Sequence, residues 1–222
     1  MLNLRRQLSA ACLLLTASLW CGLAPAATPG EVRDFFLAIS LDDPKTVTAL
    51  LVKTINPNSI DPIGGEPGLV LALREGSMRS FQALLAHPDC DLELTALNGN
   101  TALMMAAFTR NPAALQALLA KGARVNRPGW TALHYAAASG DAESARILLA
   151  HQAAIDAEAP YRLTPLMIAA REGQEAVVDL LLAHGADARR SNSESLTAAQ
   201  IAVRADKPRI EAAIATHLAA RK

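Results

Sequence analysis

The residues best equipped for chemistry are five histidines and three cysteines in a chain of 222 residues. His87, His151, His184 and His217 fall at one register position of a recurring segment, and Lys53 and Lys121 hold that position elsewhere. A row of imidazoles could bind a metal or respond to pH near neutrality. The same row is also what helix ends require, because a cation or polar ring near a helix C-terminus contributes about 0.3–1 kcal/mol. Spacing favours the second reading: packed helices stand about 8–10 Å apart, whereas zinc–imidazole bonds are about 2.0–2.1 Å long and need further carboxylate or thiolate partners. No metal site is assigned. The sequence offers no supported Ser-His-Asp or Cys-His pairing, no glycine-rich phosphate loop after a strand and no Cys/His cluster, so no catalytic residue and no cofactor is assigned either.

The cysteines depend on how the chain begins. Arg5 and Arg6 precede an apolar stretch from Leu8 to Leu23, and Ala24-Pro25-Ala26 supplies the small residues a signal peptidase reads. Residues 1–26 are therefore expected to be a secretory signal peptide cleaved after Ala26. An uncleaved anchor would need roughly 20 apolar residues. A lipid-modified cysteine would need small residues before it, but Cys21 follows Trp20. Cleavage removes Arg5, Arg6, Cys12 and Cys21 but no acidic residue, leaving a slightly acidic mature chain with Cys90 alone. No intramolecular disulfide is possible there, and stability must come from packing. Cys90 lies in His-Pro-Asp-Cys-Asp-Leu where related segments carry Ala123, Ala154 and Ala186, which predicts a small buried residue. Pairing between two molecules is the other use open to a lone exported thiol.

Composition narrows the class. Lys plus Arg and Asp plus Glu are 21 each, so there is no excess positive charge to neutralise a phosphate backbone, and nucleic acid is not expected as a partner. At 51% hydrophobic and 19% charged the chain should fold, and its apolar mass is largely Ala and Leu, which favour helices. Aromatic residues make up 4%, too few to line a stacking site for sugars or bases along most of the chain.

The mature chain repeats itself. Thr101-Ala102-Leu103-Met104, Thr131-Ala132-Leu133-His134, Thr164-Pro165-Leu166-Met167 and Thr197-Ala198-Ala199-Gln200 follow one another at intervals of 30, 33 and 33 residues. Ala106, Ala136, Ala169 and Ala202 come next, then Leu118-Leu119, Leu148-Leu149, Leu181-Leu182 and Ile214-Ala215. Ala72 with Leu84-Leu85, and Ala38 with Leu50-Leu51, extend the register backwards at intervals of 34. Asp43-Pro44, Asn111-Pro112 and Lys207-Pro208 recur at one position, where Pro suits the first residue of a second helix.

This pattern resembles the ankyrin repeat family over residues 31–222, most closely in Gly129-Trp130 through Ser139-Gly140 and in Leu163 through Asp187. The resemblance implies an all-α solenoid of about six helix–turn–helix units with short β-hairpin or loop fingers. The domain after residues 1–26 is then 27–222, with units at about 31–66, 67–100, 101–130, 131–163, 164–196 and 197–222. It also implies that His134 hydrogen-bonds its Thr and the adjoining loop. Arg162 and Ser195 stand where Gly is usual, which puts tight turns there in question. The stretch from Asn56-Pro57-Asn58 to Gly64-Gly65-Glu66-Pro67 is rich enough in turn residues to suggest an irregular loop instead of a finger.

In such arrays partners touch the finger tips and the exposed ends of the inner helices. The matching inner-helix residues are Arg74 and Glu75, Phe108 and Thr109, Ala138 and Ser139, Arg171 and Glu172, Arg204 and Ala205. On the fingers they are Leu97, Asn100, Trp130, Tyr161, Leu163 and Leu196. Arg74, Leu97, Phe108, Trp130, Tyr161, Arg171 and Glu172 are the candidate partner-binding residues, with Phe108 and Trp130 foremost because aromatic anchors dominate interfaces. Packing against the next unit is the alternative for both. The interval of 30 leaves three residues missing beside them, at Asn126-Arg127-Pro128-Gly129, which predicts a notch. The expectation is an exported, non-enzymatic monomer, similar to periplasmic bacterial ankyrin proteins, that binds a partner protein without inserting into a membrane. Neutralising a secreted toxin and supporting an oxidative-stress enzyme are the two roles considered for it.

Overall fold

The computed structural model describes residues 27–220, so the segment expected to be a signal peptide lies outside the described residues. Within them the chain forms six consecutive helix pairs. They are α1 (Pro29–Ser40) with α2 (Pro44–Lys53), α3 (Gly68–Glu75) with α4 (Met78–Ala86), and α5 (Ala102–Phe108) with α6 (Pro112–Ala120). Then follow α7 (Ala132–Ser139) with α8 (Ala142–Ala150), α9 (Pro165–Glu172) with α10 (Glu175–Ala183), and α11 (Ala198–Arg204) with α12 (Pro208–Ala220). The first helix of each pair forms an inner row in which every helix packs on the next. None of these helices is long and apolar enough to cross a membrane.

Capping explains where the helices begin. Thr101 and Thr164 accept the N–H of Met104 and Met167 at 3.3 Å, and Thr197 accepts that of Gln200 at 3.4 Å. Asp43, Asn111 and Asp141 do the same for α2, α6 and α8, at 3.3 Å or less, with Pro44 and Pro112 fixing the first helical φ. Each inner helix then has to reverse within two residues, which calls for a left-handed backbone. Gly140 and Gly173 supply it after α7 and α9, at φ 76° and 82°. Asp42, Arg110 and Asp206 adopt the same hand at the turns after α1, α5 and α11, with φ between 52° and 55°, at the cost that a Cβ imposes there.

The core is thin and continuous. Ala72, Ala106, Ala136, Ala169 and Ala202 have no exposed surface, so inner helices approach with only a methyl group between them. Leu84, Leu118, Leu148, Leu181 and Ile214 are equally buried and fill the space between the inner and outer rows. Adjacent units are also joined by hydrogen bonds, one at the base of each of the first four fingers. Asn58 Oδ1 accepts the N–H of Asp91 (2.7 Å), Glu93 Oε1 that of Arg124 (2.7 Å), Asn126 Oδ1 that of Ala154 (2.8 Å) and Asp156 Oδ1 that of Asp187 (3.1 Å).

The fingers differ from the sequence reading in three places. The stretch 56–67 does form a finger, bridged between Ile60 and Pro67, because Asp61 accepts the N–H groups of Ile63 (3.1 Å) and Gly64 (2.8 Å) and turns the tip. The fourth and fifth fingers are bridged at Ala159–Leu163 and Ser191–Thr197, with Arg162 and Ser195 accepting left-handed φ of 57° and 61° where glycine is usual, and Tyr161 beside Arg162 doing so at 63°. The alanine equivalent to Ala123 and Ala186 is Ala153, whose N–H donates to Leu148 O as theirs do to Leu118 O and Leu181 O; Ala154 is one residue further on and exposed.

Two substitutions check this packing. Arg110→Gly, at an exposed left-handed position, should raise unfolding free energy by about 0.5–1 kcal/mol in urea titration, the αL penalty less the chain entropy of glycine. Ala136→Leu should lower it by roughly 1–3 kcal/mol, since the inner row has no room for three more carbons; Ala113→Leu, the same change on the exposed face of α6, should stay within about 0.5 kcal/mol.

Candidate functional site

Three aromatic side chains meet at the junction of the third and fourth units. Phe108 ends α5, Trp130 precedes α7, and Tyr135 lies on α7. Tyr135 is half-buried and stands edge-on to both: its ring centroid is 6.0 Å from that of Phe108 and 6.1 Å from that of Trp130. Its hydroxyl donates to Asn100 Oδ1 on the preceding finger, and burial raises its pKa. Phe108 nevertheless remains 51% exposed and Trp130 36%. Packing and exposure are both satisfied, so the two readings of these residues are not exclusive. The finger beside them, 121–131, has no backbone bridge among the described residues, and neither has the full-length second finger, 88–101.

His134 supports this cluster from below. It is fully buried, and Trp130 packs on its ring at 5.4 Å. Its Nδ1 accepts the N–H of Thr131 (3.2 Å) with the Thr131 hydroxyl at 2.9 Å, which places the proton on Nε2 to donate to Leu163 O (3.0 Å). Desolvation lowers the imidazole pKa from its usual 6.5, and the hydrogen bond to Leu163 opposes that only in part. Gln200 makes the equivalent contact in the last unit, accepting the N–H of Thr197 at 2.8 Å.

A recess opens between the last two fingers and the ends of α9 and α11. Its volume is about 480 Å³, and Tyr161, Leu163, Arg171, Leu196 and Arg204 are among its walls. Tyr161 and Arg162 turn the finger with two successive left-handed residues, leaving the tyrosine ring 77% exposed, while Tyr161 O accepts the N–H of Ser193 (2.9 Å) on the next finger. Arg171 pairs with Glu172 at 2.8 Å and Arg204 with Glu194 at 2.9 Å. At the other end of the stack Arg74 reaches Glu66 (2.9 Å) and Glu75 (2.6 Å), and Leu97 projects from the second finger. The candidate residues thus lie along the length of the stack in three groups: Arg74 with Leu97, Phe108 with Trp130, and Tyr161 with Arg171 and Glu172. Tyr135, which holds the middle group, was not among them. Its place in Thr-Ala-Leu-His-Tyr was the available signal, but the residue it joins to Phe108 lies in another unit.

The histidine row behaves as helix ends. His151 Nδ1 lies 2.9 Å from Ile147 O and His184 Nδ1 2.8 Å from Leu180 O, each ring closing on the carbonyl one turn back. His87 Nδ1 instead accepts the N–H of Asp89 at 3.2 Å. Among the described residues no three His, Cys, Asp or Glu side chains are grouped to hold a metal ion. Cys90 is partly buried against the core, and its thiol pKa is raised to about 11, by burial first and then by Asp91, against an opposing effect of Lys121.

Stacked helix pairs, reversed by tight turns and carrying projecting fingers, define a repeat protein of the solenoid class. Three overlapping matches to a family described as ankyrin repeats cover residues 35–128, 69–159 and 125–192, and the chain belongs to the ankyrin repeat family. It is 31% identical over 160 residues to human Transient receptor potential cation channel subfamily A member 1, covering 67% of this chain and 14% of that protein. Mouse Rabankyrin-5 is 31% identical over 195 residues, 80% of this chain and 16% of its own length. Human Neurogenic locus notch homolog protein 4 is 38% identical over 116 residues, 50% and 6% respectively. The chain therefore spans a small fraction of the relatives it matches. Ankyrin repeats are generally protein–protein interaction modules, and that coarse function applies here.

The buried imidazole predicts a pH dependence. Because the folded state disfavours the imidazolium, the unfolded chain binds that proton more readily. The stability owed to neutral His134 is complete above pH about 6.5 and is lost as pH falls below it. His134→Gln should be less stable at pH 7.5 by about 1–2 kcal/mol and should lose less stability than the parent between pH 7 and 5, as read by urea titration across pH.

Proposed function

We propose that this protein is exported, that residues 1–26 are removed after Ala26, and that the mature stack binds a periplasmic partner protein through its finger tips and inner-helix ends. Arg74, Leu97, Phe108, Trp130, Tyr161, Arg171 and Glu172 are the contact residues in this reading, and no catalytic step or cofactor is assigned. The observation that carries it is the Phe108–Tyr135–Trp130 cluster. Large aromatic faces stay in water there although they are held edge-on against one another, and rigid aromatic anchors lose little entropy when a partner covers them. The solitary thiol fits an oxidising compartment: with its pKa near 11, Cys90 is almost entirely protonated at neutral pH and a poor nucleophile.

Affinity capture from a periplasmic extract tests the reading, with the mature protein and Phe108→Ala/Trp130→Ala as parallel baits and mass spectrometry as readout. The purified periplasmic form should begin at Ala27. One partner should be retained by the parent and lost from the double variant, and its affinity measured afterwards should fall roughly 30-fold or more. Equal retention by both baits would remove the central cluster from the interface.

A further inference from the structure

We propose that the first two fingers form a docking surface for a basic, amphipathic helical segment of a partner protein; this rests on the binding function above and specifies the chemistry of the partner. The surface is apolar at its tips. Ile63 on the first finger is 90% exposed and Leu97 on the second is 88% exposed. The two fingers form one surface, because Leu97 lies across the backbone of Gly65, where a Cβ would overlap its Cδ1. Asn58 fastens them again, donating from Nδ2 to Asp89 O at 2.8 Å and accepting the N–H of Asp91 at 2.7 Å. Isolated exposed apolar residues are ordinary, but two on adjoining tips that are held together mark a contact surface.

Charge selects the occupant. Residues 54–67 and 88–101 contain Asp61, Glu66, Asp89, Asp91 and Glu93 and not one lysine or arginine. Glu66 is paired with Arg74. Asp61, Asp91 and Glu93 accept backbone N–H groups instead, and among the described residues no cation stands within ion-pair distance of these three or of Asp89. Backbone N–H groups order the carboxylates without neutralising them, so the two fingers carry net negative charge, with Asp61 at the first tip and Asp89, Asp91 and Glu93 in the stretch leading to the second, where Arg127 of the third finger reaches Gly99 O at 3.3 Å. The sign reverses at the third finger, where 121–131 carries Lys121, Arg124 and Arg127 and no acid. A bound segment is therefore basic over the first two fingers and not beyond them. A helix of about 14 residues is roughly 21 Å long, more than the single inter-unit step of about 8–10 Å between the two fingers, so one such segment reaches both tips with leucines on one face and lysines beside them.

Three fluorescein-labelled peptides of this length test the proposal by anisotropy on the full mature protein: leucine with lysine, leucine with glutamate in the same pattern, and serine with lysine. The leucine–lysine peptide should bind and the other two should be at least tenfold weaker. Ile63→Ser/Leu97→Ser should weaken it at least tenfold. Asp89→Asn/Asp91→Asn, which keeps the local hydrogen bonds, should weaken it several-fold, as should raising salt from about 0.05 to 0.5 M. All these side chains face solvent, and an unchanged circular dichroism melt verifies folding. Failure of the leucine–lysine peptide to bind, equal binding of the glutamate peptide, or indifference to the finger variants would overturn the proposal. Loss through Phe108→Ala/Trp130→Ala alone would overturn it too while leaving the central interface standing. Light scattering that shows a dimer abolished by Ile63→Ser/Leu97→Ser would replace the partner segment with a second copy of this chain.

Discussion

No helix pair in this chain can bury its own apolar face, and everything else in the structure follows from that deficit. A unit of some thirty residues has one layer of leucine between its two helices and nothing beyond it. The remaining face is covered only when another unit stacks on it. The fully buried alanines of the inner row, Ala72, Ala106, Ala136, Ala169 and Ala202, are where that contact is closest. Small side chains let the inner helices approach while the bulkier leucines hold the outer row apart, a difference that curves a stack and leaves the inner-helix ends and fingers on one accessible side. That accessible surface is thus a consequence of how the core is covered.

The turns translate the same constraint into backbone terms. Every inner helix must reverse at once so that its partner can lie back along it, and the left-handed residue this requires is glycine after α3, α7 and α9 but Asp42, Arg110 and Asp206 after α1, α5 and α11. Single αL residues of this kind cost about 1–2 kcal/mol, an appreciable share of the roughly 5–15 kcal/mol that holds a domain together, and stacking is what maintains them. The hydrogen bonds from Asn58, Glu93, Asn126 and Asp156 to the next unit act in the other direction. They satisfy N–H groups that would otherwise stand unpaired at the base of the fingers, and they fix each finger relative to its neighbour, so that side chains from different units become one surface.

Features that recur were legible in the sequence. The threonine caps, the Ala stripe, the leucine pairs and Pro44 and Pro112 at helix starts each appear several times at a fixed register, so local chemistry read in one unit could be checked in the next. What escaped were features that exist only between units. Tyr135 joins Phe108 and Trp130 across a junction, and its bond to Asn100 spans 35 residues of sequence, so no pattern within one repeat could reveal it. The equivalence of Ala153 instead of Ala154 turned on a single residue of register, settled by which N–H closes on Leu148. The first finger was obscured because turn-rich composition cannot distinguish a loose loop from a tip that Asp61 ties down with two hydrogen bonds. Arg162 and Ser195 show the limit of glycine as a marker, since the bridges Ala159–Leu163 and Ser191–Thr197 close their fingers around left-handed conformations that their own preferences oppose.

Repetition alone gives no specificity, because identical units present identical surfaces; it is the departures from the pattern that distinguish one part of this stack from another. Three residues are missing at the third finger, and the Phe108 and Trp130 rings beside it stay partly in water. The first two fingers depart differently, by carrying acidic and no basic residues together with apolar tips, and the third reverses their charge. Neither departure disturbs the alanine row or the leucine layer, which lie behind the fingers and repeat faithfully through them. A stack of this design can therefore vary its fingers without endangering its core. On the proposed function, partner recognition belongs in the positions where this chain breaks its own register, because those are the positions that packing leaves free.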